Sequence, residues 1–537
     1  MIRDLSQPNR DGAADVTRSR RRESSPGGKP RDYHLLTGAT GLLGSYLLRD
    51  ALRTGKRIAA LARPSKWESA RQRIETSLAR WERETGEILP RPTVLEGSLA
   101  LDRWEPRILR WVTEHCQSVI HNAASLTFQT TADGEPWVSN VEGTRAVLEL
   151  CRRTSIRQFH HVSTAYVCGL RDGRVLESEL DVGQTPGNDY EASKCEAEKL
   201  VRTADFLDRP TIYRPSIIVG DSQTGYTSTF HGFYVPIKLA HTLVNRLVLG
   251  ATSGQRAVAA IGLQGPEGKN FVPVDWVSAV ITHIHGHPEH RGRTYHLTSP
   301  RAVKLAEIAA VIQDAVERYS TLADANAPRL CDSAWFEQNL AEQMAVYRSY
   351  WRDDPDFDCT NTLAAATHLP CPPMHHERLL LLARHAIQSG FGRPRPRPIC
   401  PEFDVHSRLE HLLAAGRELD AESTSRPRVG LQVDGRGGGQ WELVLNDGRP
   451  VAAKEGLTRC SEAVCRLTSE TYERLVHRRV SVGEALQSGL VVIEGKGMDL
   501  RQLAAVFEPA VFETTVTGGG QPLECVLVNG AEEFATP

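Results

Sequence analysis

The stretch from Tyr33 to Leu52, YHLLTGATGLLGSYLLRDAL, restricts the fold more than any other in this chain. A short apolar run reads as a strand. Glycines follow at Gly38, Gly41 and Gly44, and an apolar-periodic helix starts inside them. Gly38 permits a tight turn, Gly41 lets backbone approach a pyrophosphate, and Gly44 lets the helix lie close on the strand. The helix start then offers unpaired N–H groups and a positive dipole end. Thr40, Leu42 and Leu43 complete this loop and are read with it as cofactor contacts. Such a strand–turn–helix unit implies an α/β chain, a Rossmann-type doubly wound parallel sheet.

The surrounding text agrees. From about Tyr33 to Val219 short apolar strands alternate with helical stretches. We expect a disordered extension over 1–31 and a dinucleotide-binding unit over 32–392. That unit divides into a nucleotide-binding core, about 32–225, and a mostly helical substrate lobe, 226–392, with a last strand-like piece at RTYHLTS. RPRPRPICP, Arg393 to Pro401, cannot form a helix and marks a spacer, so 393–420 is read as linker and helix. Beyond it, QWELVLNDGRPVAAKEG alternates with period two around Asn446-Asp447-Gly448, a hairpin signal. Helical text over Ser469–Gln487 and the strand GLVVIEG complete a small α+β domain over 421–512; 513–537 is left unassigned.

Bulk properties exclude several classes. The net charge of -2 gives no global bias toward nucleic acid or anionic membrane. No apolar run approaches the ~18 residues of a spanning helix, and the N-terminus lacks a signal-peptide core. The 11 cysteines are odd in number and form no C-x-x-C pair, so they read as reduced thiols of a cytoplasmic protein, with no metal site.

The second strand ends in ALARPSK. A dinucleotide site selective for a 2′-hydroxyl would place a carboxylate there; Arg63 and Lys66 suit a 2′-phosphate, so NADPH is the expected cofactor. SVIHNAASLTF ends in Asn122, Ala123 and Ala124, small enough to pass beside a nicotinamide ribose. QFHHVSTAYVCG ends in Ser163-Thr164, hydroxyls at the carboxyl end of a strand, where ligands of open parallel sheets bind. In GNDYEASKCEAEKL, Tyr190 and Lys194 stand four apart on one helical face. Glu191, Glu196, Glu198 and Lys199 read as that helix's solvated charges.

Glycine loop, strand-end Ser/Thr and later Y-x-x-x-K together resemble the extended short-chain dehydrogenase/reductase superfamily over roughly Tyr33 to Gly392. LLTGATGLLGSYLL, VIHNAASLTF, HHVSTAYV and TIYRPSIIVGDSQTG look like its thioester reductase and fatty acyl-CoA reductase branch. That resemblance implies NADPH-driven reduction of an acyl thioester to an aldehyde or alcohol. It implies Thr164 as catalytic hydroxyl, with Ser163 as the alternative, Tyr190 as acid and Lys194 as its partner. Lys194 would lower the phenol's ordinary value of about 10 and hold the nicotinamide ribose. One departure is Ser98, beside Leu99, where the family carries an acidic residue near the adenine; Ser98 and Leu99 are still read as cofactor contacts, as is Pro215 in YRPSIIVG. Asp275 reads as a helix N-cap. Phe230, Phe233 and Tyr234 either line an acyl pocket or form the core of the helical lobe.

GRGGGQWELVLNDGRPVAAKEG, CRLTSETYERLV and VSVGEALQSGLVVIEG resemble the sterol carrier protein type 2 family, over about Ala421 to Pro509. The resemblance implies an apolar tunnel for a hydrophobic lipid ligand; an ordinary filled core is the alternative. The expected activity is therefore NADPH-dependent reduction of long-chain or lipid-like acyl-CoA or carrier-protein thioesters. A hydroxysteroid-type dehydrogenase or epimerase of the same superfamily, and a non-enzymatic lipid-transfer protein, remain as alternatives.

Overall fold

The computed structural model describes residues 31–99, 104–243, 265–320, 342, 345–350, 352–393, 404–418, 426–458, 461, 463–495 and 507. The expected N-terminal extension, the Pro/Arg spacer and the tail lie outside the described residues.

Seven parallel strands form the main sheet: β1 (Tyr33–Thr37), β2 (Arg57–Ala62), β3 (Thr93–Glu96), β4 (Cys116–His121), β5 (Gln158–Val162), β6 (Thr211–Pro215) and β7 (Thr294–Leu297). Their order, β7-β6-β5-β4-β1-β2-β3, reverses between β1 and β4. Side chains of β1 alternate between two cores, as a strand covered on both faces must. Leu36 packs with α1 (Leu42–Arg53) and α7 (Val274–Gly286) on one face. Tyr33 and Leu35 pack with α3 (Pro106–His115) and α4 (Gly143–Thr154) on the other. Helix α2 (Ala70–Thr85) starts at a Ser69/Gln72 capping box, and α5 (Asp189–Thr203) at the side chain of Asn188.

The lobe read from Tyr226 onward is not continuous. Helix α7 and β7 return to the nucleotide-binding layers, because both are apolar enough to be buried on the sheet. Asp275 lies in the first turn of α7 and accepts from the backbone N–H and hydroxyl of Ser222, at 2.9 and 2.7 Å; the N-cap itself is Pro273. The lobe proper packs α6 (Tyr234–Leu243), α8 (Leu305–Tyr319) and α9 (His376–Gln388) around one apolar cluster.

The C-terminal unit is a five-stranded sheet of β8 (Arg428–Asp434), β9 (Gly439–Asn446), β10 (Arg449–Glu455), β11 (Ala463–Thr468) and β12 (Val491–Gly495), ordered β10-β9-β8-β11-β12. Asp447 and Gly448 both take positive φ at the tip of the β9–β10 hairpin, as the sequence there requires. The helical text after Ser469 breaks into two short helices, Ser469–Val476 and Val482–Gln487, with Arg478 at φ 55 between them. Leu431, Trp441, Leu443 and Cys465 are wholly buried in its core.

This unit docks under the amino ends of β1 and β2. The Tyr33 hydroxyl donates to Gln440 at 2.6 Å and accepts from the Leu457 N–H at 2.7 Å. Trp111 of α3 donates to the Glu455 carbonyl at 2.7 Å, and Arg57 to that of Leu457 at 3.2 Å. Among the described residues no helix is long and apolar enough to cross a membrane.

Candidate active site

The carboxyl ends of the sheet's strands open into a cavity of about 890 Å³. Its nucleotide end is built by the glycine loop. Gly38 has φ +71°, and a Cβ there would stand 2.7 Å from the Ala123 nitrogen. A Cβ on Gly44 would come within 1.9 Å of the Gly38 carbonyl oxygen, so the helix can pack this closely only on glycine. Thr37 ties the switch point together: its hydroxyl accepts from the N–H groups of Asn122 and Ala123, each at 3.1 Å. Thr40, Gly41, Leu42, Leu43, Ser98, Leu99, Asn122, Ala123, Ala124 and Pro215 all line the cavity with Gly38, whereas Gly44 acts behind it, as packing.

Arg63 also lines this end, beside a residue that sequence reading missed. Arg73, one turn into α2, donates to the Arg63 carbonyl at 2.6 Å and to the Thr40 hydroxyl at 2.8 Å. Burial and the neighbouring Arg63 cation push the Arg73 guanidinium below its ordinary range. Two cations thus face one cavity end, and Arg73 spends its hydrogen bonds on neutral oxygens. That arrangement favours an anion. The available signal was a second arginine in the first turn of the helix after β2.

The reacting end joins three elements. Thr164 lies just past β5 and caps the short turn Ala165–Cys168, its hydroxyl accepting from the Tyr166 N–H at 3.3 Å. The Thr164 hydroxyl also donates to the Pro215 carbonyl at 3.4 Å. Tyr190 and Lys194 occupy successive turns of α5, and Lys194, 2% exposed, donates to the Val162 carbonyl at 2.7 Å. Thr164, Tyr190 and Lys194 all line the cavity, as does Ser163. The expected lowering of Tyr190 by Lys194 is not found. Burial first, then the Glu191 carboxylate, push the phenol above its usual range, with Thr164 pulling it down. Lys194 is itself pushed down to about 8 by burial, with Glu198 pulling it back up.

Two of the α5 carboxylates read as solvated are buried. Glu191, 4% exposed, accepts from the Gly187 N–H at 2.7 Å, and burial raises it to about 6. Glu198 is wholly buried and takes Arg214 through two bonds, at 2.7 and 3.0 Å, with Arg202 at 2.7 Å. Of the three aromatics read as substrate contacts, Phe233 lines the cavity. Phe230 packs on Tyr234 and Phe391, and the Tyr234 hydroxyl accepts from the Gly220 N–H at 2.9 Å, so these two are part of the lobe's own packing. From Phe233 the cavity runs between α6 and α8 along Ile308, Ile312 and Val316.

Comparison with known proteins follows this geometry. Residues 36–281 match the NAD-binding family described as male sterility protein. The aldehyde reductase lnaA of Aspergillus flavus is 28% identical over 313 residues, 54% of this chain and 27% of that protein. The L-2-aminoadipate reductase of Schizosaccharomyces pombe is 30% identical over 289 residues, 49% of this chain and 19% of that protein. The chain thus spans about a quarter or less of these relatives. Among solved structures, the terminal R domain of the myxalamid PKS-NRPS biosynthetic pathway has TM-score 0.53 and 25% identity, over 70% of this chain and 94% of that one. A thiolation-reductase di-domain of an archaeal non-ribosomal peptide synthetase, with TM-score 0.51 and 20% identity over 68% and 77%, shares the fold. Residues 36–281 are thus similar to an NAD-binding domain, and the fold is that of the reductase domains named here.

Proposed function

We propose that this protein is an NADPH-dependent reductase of acyl thioesters. The observation that carries the reading is the convergence of Thr164, Tyr190 and Lys194 on one wall of a cavity with the glycine loop at one end and an apolar branch at the other. NADPH held on the glycine loop would supply the hydride, its 2′-phosphate between Arg63 and Arg73 and its nicotinamide ribose toward Lys194. Thr164 and Tyr190 donate hydrogen bonds to the thioester carbonyl oxygen and stabilise the negative charge that develops there. Tyr190 then gives up its proton. Thr164, the group that pulls the Tyr190 phenol down, favours the ionised form that remains. The resulting hemithioacetal breaks its carbon–sulfur bond, leaving an aldehyde and a free thiol.

The carrier is a coenzyme A or carrier-protein thioester, and the branch between α6 and α8 takes the acyl chain. Long apolar chains suit it, since burial there is worth ~25 cal/mol per Å². Likeness to sterol carrier protein type 2 supports a hydrophobic ligand in the C-terminal unit. None of the described residues lining the catalytic cavity comes from that unit, so a lipid held there is stored away from the reacting carbonyl.

The test is NADPH oxidation with long-chain acyl-CoA, with aldehyde trapped and free thiol titrated. Equal amounts of both products are expected, and Tyr190→Phe lowers kcat by ~10²–10⁴-fold, the usual contribution of a positioned acid. Full turnover by that variant, or oxidation without thiol release, refutes the reading.

A further inference from the structure

Where the apolar branch leaves the catalytic turn, the cavity wall carries a buried ion pair that the mechanism above does not use. Lys269 donates to Asp354 at 2.8 Å, and the two side chains are 6% and 4% exposed. The other carboxylate oxygen of Asp354 accepts from the Tyr166 hydroxyl and from the Asn270 N–H, both at 2.7 Å. Tyr166 belongs to the turn that Thr164 caps. The pair therefore lies one tyrosine side chain from the catalytic hydroxyl. On its far side, Phe271 packs against Phe233, ring centroids 5.7 Å apart, at the entrance to the apolar branch. Lys269, Tyr166, Phe271 and Phe233 all line the cavity.

Asp354 takes three donors, whereas Lys269 keeps N–H groups without a partner among the described residues. An ammonium has three N–H groups, and Asp354 takes one. The Tyr350 ring, 5.8 Å away, adds only a loose cation–π contact. Burying a charge in an apolar wall is costly, and a pair that served only to pin the 353–357 segment would do so no better than apolar packing. A hydrogen-bond acceptor on the substrate would use the free donors.

We propose that Lys269 is a specificity-determining residue that donates to an oxygen acceptor on the acyl group, a few bonds from the reacting carbonyl. The preferred substrate is then an acyl chain carrying a hydroxyl or carbonyl near the thioester, followed by an apolar tail, and not a plain saturated chain. The proposal rests on the thioester-reductase reading and deepens it.

The test compares dodecanoyl-CoA with 3-hydroxydodecanoyl-CoA and N-decanoylglycyl-CoA on the full-length protein. Wild type should favour at least one oxygenated substrate by ~10-fold or more in kcat/KM, the scale of one charge-assisted hydrogen bond. Lys269→Met should abolish that preference, raising KM for the oxygenated substrates to the level of dodecanoyl-CoA. Because Lys269→Met leaves Asp354 unpaired, the neutral double variant Lys269→Met/Asp354→Asn is measured beside it and should lose the same preference. Equal losses for oxygenated and plain chains, or no preference in wild type, overturn the role of Lys269. Wild type that turns over none of the three overturns the reductase reading instead.

Discussion

Replacing Glu198 by Gln tests how helix α5, which carries Tyr190 and Lys194, is held. Glu198 is wholly buried, and Arg214, 1% exposed, spends its Nε and one Nη on it. The remaining contact of Arg214 is with His296, at 3.3 Å. Gln preserves volume but leaves the guanidinium buried without a counter-charge, which costs ~3–5 kcal/mol. Arg202, 31% exposed, can turn to water, so its loss adds little. Urea unfolding should report that loss, and the charge-neutral double variant Glu198→Gln/Arg214→Met should recover much of it. Activity gives a second readout. The Glu198 carboxylate raises Lys194, so its removal lets burial push the ammonium further below 8. The alkaline fall of kcat/KM for NADPH should then move to lower pH. A variant within ~1 kcal/mol of wild type, with its alkaline fall unmoved, refutes the assignment of Glu198 as the group that braces Lys194.

Arg73→Ala should raise KM for NADPH by ~10–100-fold, the scale of a lost charge-assisted contact, and leave NADH turnover nearly unchanged; equal effects on both cofactors would remove the 2′-phosphate from this arginine. Lys194, near 8 when folded against an ordinary 10.5, sets a pH window. Between those values the unfolded chain binds the proton more tightly, so this group's contribution to stability rises with pH. Over the same window kcat/KM for NADPH, which uses the ammonium, should fall, and a flat profile up to pH 10 would refute that use.

The nucleotide end of the site was legible because its requirements are local. The positive φ of Gly38 and the contact of Gly44 with the Gly38 carbonyl oxygen both lie within one strand–turn–helix segment. The order of Thr164, Tyr190 and Lys194 was legible too, because helical spacing fixes which side chains share a face. Helical spacing does not say which face is covered. Glu191 and Glu198, seven apart, share one face of α5 and the half-buried Glu196 lies on another, but Arg214, which decides the matter for Glu198, comes from a strand in the next unit. Lys269 and Asp354 are 85 residues apart, and no local pattern announces the pair. Phe230, Phe233 and Tyr234 stayed open between pocket and core for the converse reason: aromatic side chains in a segment near a substrate lobe look alike whether they face a cavity or each other.

Strand β1 has a consequence for anyone dividing this chain. Its five residues, roughly 13 Å of backbone, carry the cofactor turn at Thr37 and the seat of the C-terminal unit at Tyr33. Cutting at the Pro-rich spacer would uncover Tyr33 and Trp111 together and strip the Tyr33 hydroxyl of Gln440 and Leu457. An isolated N-terminal fragment would therefore begin its first strand with a sticky aromatic patch, prone to self-association. A soluble fragment calls for polar replacements at those two positions, made before its kinetics are compared with the intact chain.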